Sequence, residues 1–398
     1  MARNLDTESS MKEAARTMPV QVLEYLAKAA GKLKDGIPQS NRYREIGFEE
    51  ESARLGWVIP PSWKSIEKAL SDFGKLDIVK EKTCFVFSGM GGSVNTIKAL
   101  IDLLGRKSRA RIYTIDSLDP LALKELLFSV GDISQVLFIG ISKSGTTKET
   151  RDLLMTLREK FRREGLDYRE HFLWLTDLPQ GGVRLEEAGW SGIHLLPIQI
   201  DNGSDIGGRF TAPHTLIFLI PMFLLLGQDI QQLKGFWQTY EGLREKFFLE
   251  AARKAQELVL KETNYFAIVF KKELASAMET WTIQLFQESL GSKVLGFSPK
   301  TLVLTQEAVP SDFTPVEFNI SSGSAVMDST VNMYLLQVLA AVFSYYRGIN
   351  FVTQPEVEVY KKKMAEISSM EIPRAEKMTL HELTKKLKLK KQPKEAVA

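Results

Sequence analysis

Apolar positions along the chain fall into two alternating patterns. Short unbroken runs stand at Cys84–Ser88, Arg111–Ile115, Val136–Ile139 and Phe172–Leu175. Between them, apolar residues recur at helical spacing up to Leu104, from Pro120, and from about Thr147. Strand-like runs alternating with helical ones predict βαβ units around a parallel sheet. The runs lack a clean in-out alternation, which predicts strands covered on both faces. A long helical stretch from about Gln231 to Lys261 separates this region from a second. There the pattern predicts a strand at Tyr265–Val269, a helix over about Leu274–Glu288, strands at Thr301–Leu304 and Val316–Ile320, and helices near Thr330–Tyr346 and Pro355–Met364. The expected fold class is therefore α/β, as two stacked α/β domains with parallel sheets.

The expected boundaries are an N-terminal helical segment at 1–55, a first domain at 56–228, a second at 229–376 and a basic tail at 377–398. The region before Lys82 is polar and mostly helical, broken at Pro60-Pro61. The most apolar stretch, Leu216 to Leu226, is too short to span a bilayer and contains Pro221, so a buried core helix is expected rather than a membrane contact. The tail Lys385–Lys394 reads as a solvated end.

Composition narrows the picture. Hydrophobic residues make up 44% and charged residues 25% of the 398, the profile of a soluble globular protein. A net charge of +3 lacks the basic excess typical of nucleic-acid binders. The single cysteine, Cys84, has no partner for an internal disulfide, which fits a reducing compartment. The first residues carry no apolar signal core, so a cytoplasmic location is expected.

Candidate chemistry concentrates at Ile141-Ser142-Lys143-Ser144-Gly145-Thr146-Thr147, between a predicted strand and a predicted helix. Amides at a helix start lack internal partners and carry partial positive charge. A phosphate there would meet those amides and the hydroxyls of Ser142, Ser144, Thr146 and Thr147, with Gly145 allowing close approach. The order of a nucleotide-type P-loop is absent. The same residues could also be a hydroxyl-rich helix cap, with Thr146 or Thr147 as N-cap. The turn Gly89-Met90-Gly91-Gly92-Ser93 lacks the third glycine of a dinucleotide fingerprint and reads equally as a tight strand-to-helix turn.

Taken together these loops resemble the SIS-type phosphosugar-binding fold, and in particular the glucose-6-phosphate isomerase family. Five ordered segments carry the resemblance: Gly89–Ser93, Ile141–Thr150, Gly207-Gly208-Arg209-Phe210, Gln287-Glu288-Ser289-Leu290-Gly291 and Gln354–Lys361. The resemblance implies two three-layer α/β/α domains of SIS type and a role for each matching residue. Ser142, Ser144, Thr146 and Thr147 would hold phosphate with backbone help from Lys143 and Gly145. Gly92 and Ser93 would contact the sugar, and Gly208 would also bind the substrate. Arg209 would stabilise an anionic intermediate, Glu288 would move the proton between C1 and C2, Gln354 would touch the phosphate or sugar, and Lys361 would take part in ring opening. It further implies glucose 6-phosphate to fructose 6-phosphate isomerisation through a cis-enediolate, a place in glycolysis and gluconeogenesis, and a homodimer. No metal and no cofactor would be needed. The chemistry suits these residue types, since one carboxylate can shuttle the proton and a fixed guanidinium can lower the barrier to the enediolate.

Without the resemblance, Glu288 reads as a solvated helix-end carboxylate, Arg209 as a partner for Asp201 or Asp205, and Lys361 as one of a lysine run. The sequence departs from the family at one point. The family has a ring-opening histidine between the glutamate and the terminal lysine, but no histidine lies here between His214 and His381. Asp312, Glu307 and Lys361 are the candidates to replace it. Alternatively the protein binds a sugar phosphate as a sensor, or isomerises another phosphosugar. His171 and His194 border strand runs and are expected to be structural, and His214 is expected to pack.

Overall fold

The structure, a computed structural model, describes residues 46–353 apart from 50–51, 106–107, 109, 179, 293–294 and 306–308. The expected helix Pro355–Met364, the tail, Gln354, Lys361 and Glu307 lie outside the described residues.

A short antiparallel hairpin, β1 (Phe48–Glu49) and β2 (Ser52–Ala53), precedes helix α1 (Trp63–Lys75). Ser62 caps α1 by accepting from the Ser65 amide, and Ile66, Leu70 and Phe73 bury one stripe of it. After the single turn α2 (Asp77–Lys80), strands and helices alternate as the pattern predicts. They are β3 (Cys84–Ser88), α3 (Gly92–Leu104), β4 (Arg111–Ile115), α4 (Pro120–Val130), β5 (Val136–Ile141), α5 (Lys148–Arg163), β6 (Phe172–Thr176), α6 (Gln180–Glu187) and β7 (His194–Pro197). The last two are not legible in the pattern, because β7 is four residues long and ends in proline.

All five strands pair in parallel in the order β4-β3-β5-β6-β7. The chain leaves β3 on one side to form β4, then crosses over to place β5 on the other side. A parallel sheet opens a crevice beyond its carboxyl ends at such a reversal of strand order. Ser88 at the end of β3 pairs with Gly140 near the end of β5, so the glycine turn and the hydroxyl loop both leave the sheet at this crevice.

Helices α7 (Leu216–Leu225) and α8 (Ile230–Leu260) lead to β8 (Tyr265–Val269), α9 (Lys272–Leu290), β9 (Lys300–Leu304), β10 (Thr314–Val316) and α10 (Ala325–Arg347). The second sheet is parallel, in the order β10-β8-β9. Its last strand falls earlier than the expected Val316–Ile320. Pro315 sits within it, which an edge position tolerates because the missing amide would face away from the sheet.

Strand periodicity divides the first sheet's residues between two cores. Cys84, Val86, Phe138 and Trp174 face Leu153, Leu157 and Phe161 of α5. Phe85, Phe87, Leu137, Ile139 and Leu173 face a larger core that also takes in Phe266 and Ile268 of the second sheet. Burying each such side chain contributes roughly 1.5–3 kcal/mol. Helix α10 packs on α8 and α9 within this core. It is long and apolar enough to cross a membrane, but its apolar window is entirely covered by the protein.

Candidate active site

The loop after β5 is tied together by its own hydroxyls. Ser142 is buried, its hydroxyl donates to Thr147 Oγ1 at 2.9 Å, and its oxygen accepts from the Thr147 amide at 3.2 Å. The hydroxyls of Ser144 and Thr146 lie 2.6 Å apart at the solvent side. Thr147 occupies the N-cap position of α5, but its side chain makes no capping bond. A simple hydroxyl cap is therefore not what these residues form. They make a braced rim around a helix start, where upstream carbonyls are lacking and an anion finds donors. Gly145 has φ of +68°, and a Cβ there would lie 2.5 Å from the Gly181 carbonyl oxygen. No other residue fits this position without displacing α6.

The end of β6 supports the same loop from the side. The Lys143 carbonyl accepts from the Asp177 amide at 2.9 Å and from the Thr176 hydroxyl at 3.2 Å. The Lys143 ammonium stands 3.9 Å from the Asp177 carboxylate. Burial pushes the Asp177 carboxyl up to about 6, against the pull of Lys143 and Arg54. Burial also lowers the Lys143 ammonium, and nearby Arg54 lowers it further. This cluster includes Asp205, whose carboxyl is likewise raised by burial and by Asp201.

The turn after β3 meets a different set of elements. Gly91 has φ of +56°, and a Cβ on it would stand 2.6 Å from Nε2 of Gln284 on α9. A Cβ on Gly92 would stand 2.7 Å from the Gly208 carbonyl oxygen and 3.1 Å from Arg209 Cα. Glycines here let α3, the 208–210 turn and α9 converge. Ser93, next in the turn, is half-buried.

Arg209 is the hub of the convergence. Its Nη1 donates to Glu288 Oε2 at 3.3 Å, its Nε to the Ser289 hydroxyl at 3.2 Å, and its Nη2 to the Phe351 carbonyl at 2.6 Å. Its side chain is 10% exposed, against 34% for Glu288. Burial lowers the guanidinium to about 10, opposed by Glu288, so it stays charged at neutral pH. Glu288 also accepts from Gln284 Nε2 at 3.1 Å. Gln284 in turn accepts from Asn95 Nδ2 at 2.7 Å. Arg209 thus pairs with Glu288 and not with Asp201 or Asp205, and Glu288 is no solvated helix end.

The expected site residues divide accordingly. Gly92, Ser93, Gly208, Arg209 and Glu288 belong to the turn after β3 and what it meets, and Ser142, Lys143, Ser144, Thr146 and Thr147 to the rim after β5. Gln354 and Lys361 lie outside the described residues. Asp312 is exposed. His214 is buried, with Nδ1 2.6 Å from the Trp57 carbonyl and Nε2 2.7 Å from the Tyr240 hydroxyl. Burial drops it to about 3, so it packs as a neutral ring. His171 lies 3.2 Å from the Val136 carbonyl, also as a structural contact, whereas His194 is exposed at the start of β7. Sequence reasoning misses Asn95, Asp177 and Gln284. Only Gln284 carries a signal there, one helical turn before Glu288 on the same face.

No family model matches the chain. Glucose-6-phosphate isomerase of Campylobacter jejuni is 26% identical over 66% of this chain and 64% of its own length. A probable glucose-6-phosphate isomerase of Natronomonas pharaonis is 32% identical over 72% of this chain and 63% of its own length. The chain thus spans less than two thirds of these curated relatives. Among solved structures, a glucose-6-phosphate isomerase from Chlamydia trachomatis aligns with a TM-score of 0.58 at 16% identity, over 92% of this chain and 81% of its own. At that identity the likeness shows the fold, which is the parallel α/β architecture the sequence pattern predicts. In its motifs, in its sequence over most of its length and in its fold, the chain is similar to the glucose-6-phosphate isomerases.

Proposed function

We propose that the protein is an aldose–ketose isomerase that interconverts glucose 6-phosphate and fructose 6-phosphate. The observation that carries the reading is the Arg209–Glu288 pair beside the Gly91-Gly92 turn, next to the hydroxyl rim on the neighbouring strand. Adjacent strands are about 4.8 Å apart, so a phosphate held at Ser142–Thr147 keeps the sugar within the same crevice.

In the open-chain sugar, Glu288 takes the proton from C2 while C1 is an aldehyde. The electron pair left behind forms a cis-enediolate, whose negative charge on O1 the Arg209 guanidinium stabilises. The proton then returns from Glu288 to C1 as the proton of O2 passes to O1, leaving a ketone at C2. A positioned base contributes about 10²–10⁴-fold in such steps, and one fixed donor at a developing anion about 10²–10³-fold. Glu288 is held from two sides, by Arg209 and Gln284, as a shuttling base requires.

In this reading, by resemblance alone, Gln354 touches the phosphate or sugar, and Asp312, Glu307 or Lys361 opens the ring. The five-stranded sheet falls within 56–228 and the three-stranded sheet within 229–376, which supports those as the two domains. A cytoplasmic homodimer completes the proposal. Leu249 and Leu260, exposed on α8, supply apolar surface for the contact. Light scattering showing only monomer at micromolar concentration would remove the dimer.

The missing histidine favours a second reading, a sugar-phosphate sensor without turnover. A coupled assay for glucose 6-phosphate formation from fructose 6-phosphate separates them, with Glu288→Gln as control. Turnover lost in the variant supports the isomerase. Tight binding without turnover supports the sensor, and activity only on another phosphosugar changes the substrate.

A further inference from the structure

Glu288 is held by a donor that could equally present an acceptor. The Gln284 side chain has a carbonyl oxygen at one corner and an NH₂ at the other, nearly equal in shape. Turned one way it donates to the Glu288 carboxylate. Turned the other way its carbonyl would face that carboxylate and repel it. The carboxylate favours the first, and a donor on the far side of the amide would lock it there.

Asn95 supplies that donor. It lies in the first turn of α3, three residues after Gly92, and is 7% exposed. Its Nδ2 donates to Gln284 Oε1 at 2.7 Å, across 189 residues of sequence. With the Gln284 carbonyl occupied from that side, its NH₂ is left to face Glu288 Oε1 at 3.1 Å. Gly91 closes around the same amide, since a Cβ there would stand 2.6 Å from Gln284 Nε2. Both members of the relay are neutral amides, so its polarity does not change across physiological pH.

We propose that Asn95 is a positioning residue, which fixes the Gln284 amide and through it the orientation of the Glu288 carboxylate. The inference rests on the reading of Glu288 as the base. It adds a residue that never touches the sugar but sets the angle at which the base meets C1 and C2. A small misplacement of a reacting group costs catalysis far more than binding. The phosphate rim lies on another strand and is untouched.

Asn95→Asp keeps the shape but loses the donor, and Asn95→Ala serves if the first does not fold. Thermal unfolding identifies the folded variants. The expected result is a kcat lowered about 10–100-fold with KM for fructose 6-phosphate within about twofold. Combining either with Gln284→Ala should lower kcat no further than Gln284→Ala alone, because residues acting in one network are not additive. The Gln284 side-chain amide, observed by NMR after selective ¹⁵N-glutamine labelling and assigned by its loss in Gln284→Ala, should move in both Asn95 variants. An active wild type with unchanged kcat, additive losses or an unmoved Gln284 signal overturns the proposal. A wild type without turnover whose Gln284 signal still responds to Asn95 upholds the relay and instead defeats the isomerase reading.

Discussion

The hydroxyl rim at 142–147 and the Arg209–Glu288 centre are built on opposite principles. The rim is local. Its bracing hydrogen bonds join residues no more than five apart, and the helix it opens is the next element in the chain. The centre is assembled from distant pieces. Arg209 reaches Glu288 across 79 residues and the Phe351 carbonyl across 142, and Asn95 reaches Gln284 across 189. The rim's own hydroxyl bracing forms within one strand-to-helix turn, and only its backing comes from β6. The centre exists only when the whole fold has closed. Binding and rate should therefore respond to different substitutions.

Substitutions that separate the two halves test this contrast. The largest effect should come from Glu288→Gln, which removes the proton acceptor while keeping the shape. It should lower kcat about 10³-fold or more and leave KM nearly unchanged in the coupled assay. Arg209→Lys keeps the charge but loses the planar fork that reaches Glu288, Ser289 and the Phe351 carbonyl. It should lower kcat about 10²-fold. In the rim the balance should reverse. Ser142→Ala unties Thr147 from both its bonds and should raise KM about tenfold, or ~1.4 kcal/mol, with kcat within a few-fold. A kcat loss from Ser142→Ala equal to that from Arg209→Lys would erase the contrast.

Two stability effects follow at the rim. Gly145→Ala places a side chain at positive φ against the Gly181 carbonyl, and should destabilise by at least ~1–2 kcal/mol, read as a lower thermal midpoint. Asp177 gives a pH signature. Its folded carboxyl is raised to about 6 from a reference of 3.8, so its protonated form favours the folded state. That contribution is full below about pH 4 and is lost as pH rises through 6, by up to about 3 kcal/mol over the shift. Asp177→Asn should flatten the fall in stability between pH 4 and 6. An identical pH slope in wild type and variant would show that Asp177 is not the group responsible.

The same contrast explains which features are legible in the amino-acid sequence. The strands Cys84–Ser88, apolar up to its last residue, and Tyr265–Val269 are near-continuous apolar runs, and their burial on both faces is written into that pattern. The rim is legible because four hydroxyls around Gly145 sit in one stretch. Arg209 and Glu288 are legible only by resemblance, since nothing near either residue names the other. Gln284 has helical spacing to Glu288 in its favour. Asn95 has no local signal, because its role exists only across the gap between α3 and α9. Asp177 escapes for a related reason, as its burial depends on the loop from the neighbouring strand. The strand at Thr314–Val316 begins ahead of the apolar run that signals it, because Pro315 argues against a strand unless the sheet order is known.

Everything proposed for the site comes down to Glu288 carrying a proton between two carbons of one sugar phosphate. Incubating glucose 6-phosphate with the protein in heavy water and following the C2 proton by NMR probes that transfer itself. The C2 proton should leave C2, either exchanged for deuterium or delivered to C1 of fructose 6-phosphate, with wild type and not with Glu288→Gln. A C2 proton that stays in place, with no proton or deuterium newly delivered to C1, while the sugar phosphate is bound would rule the transfer out.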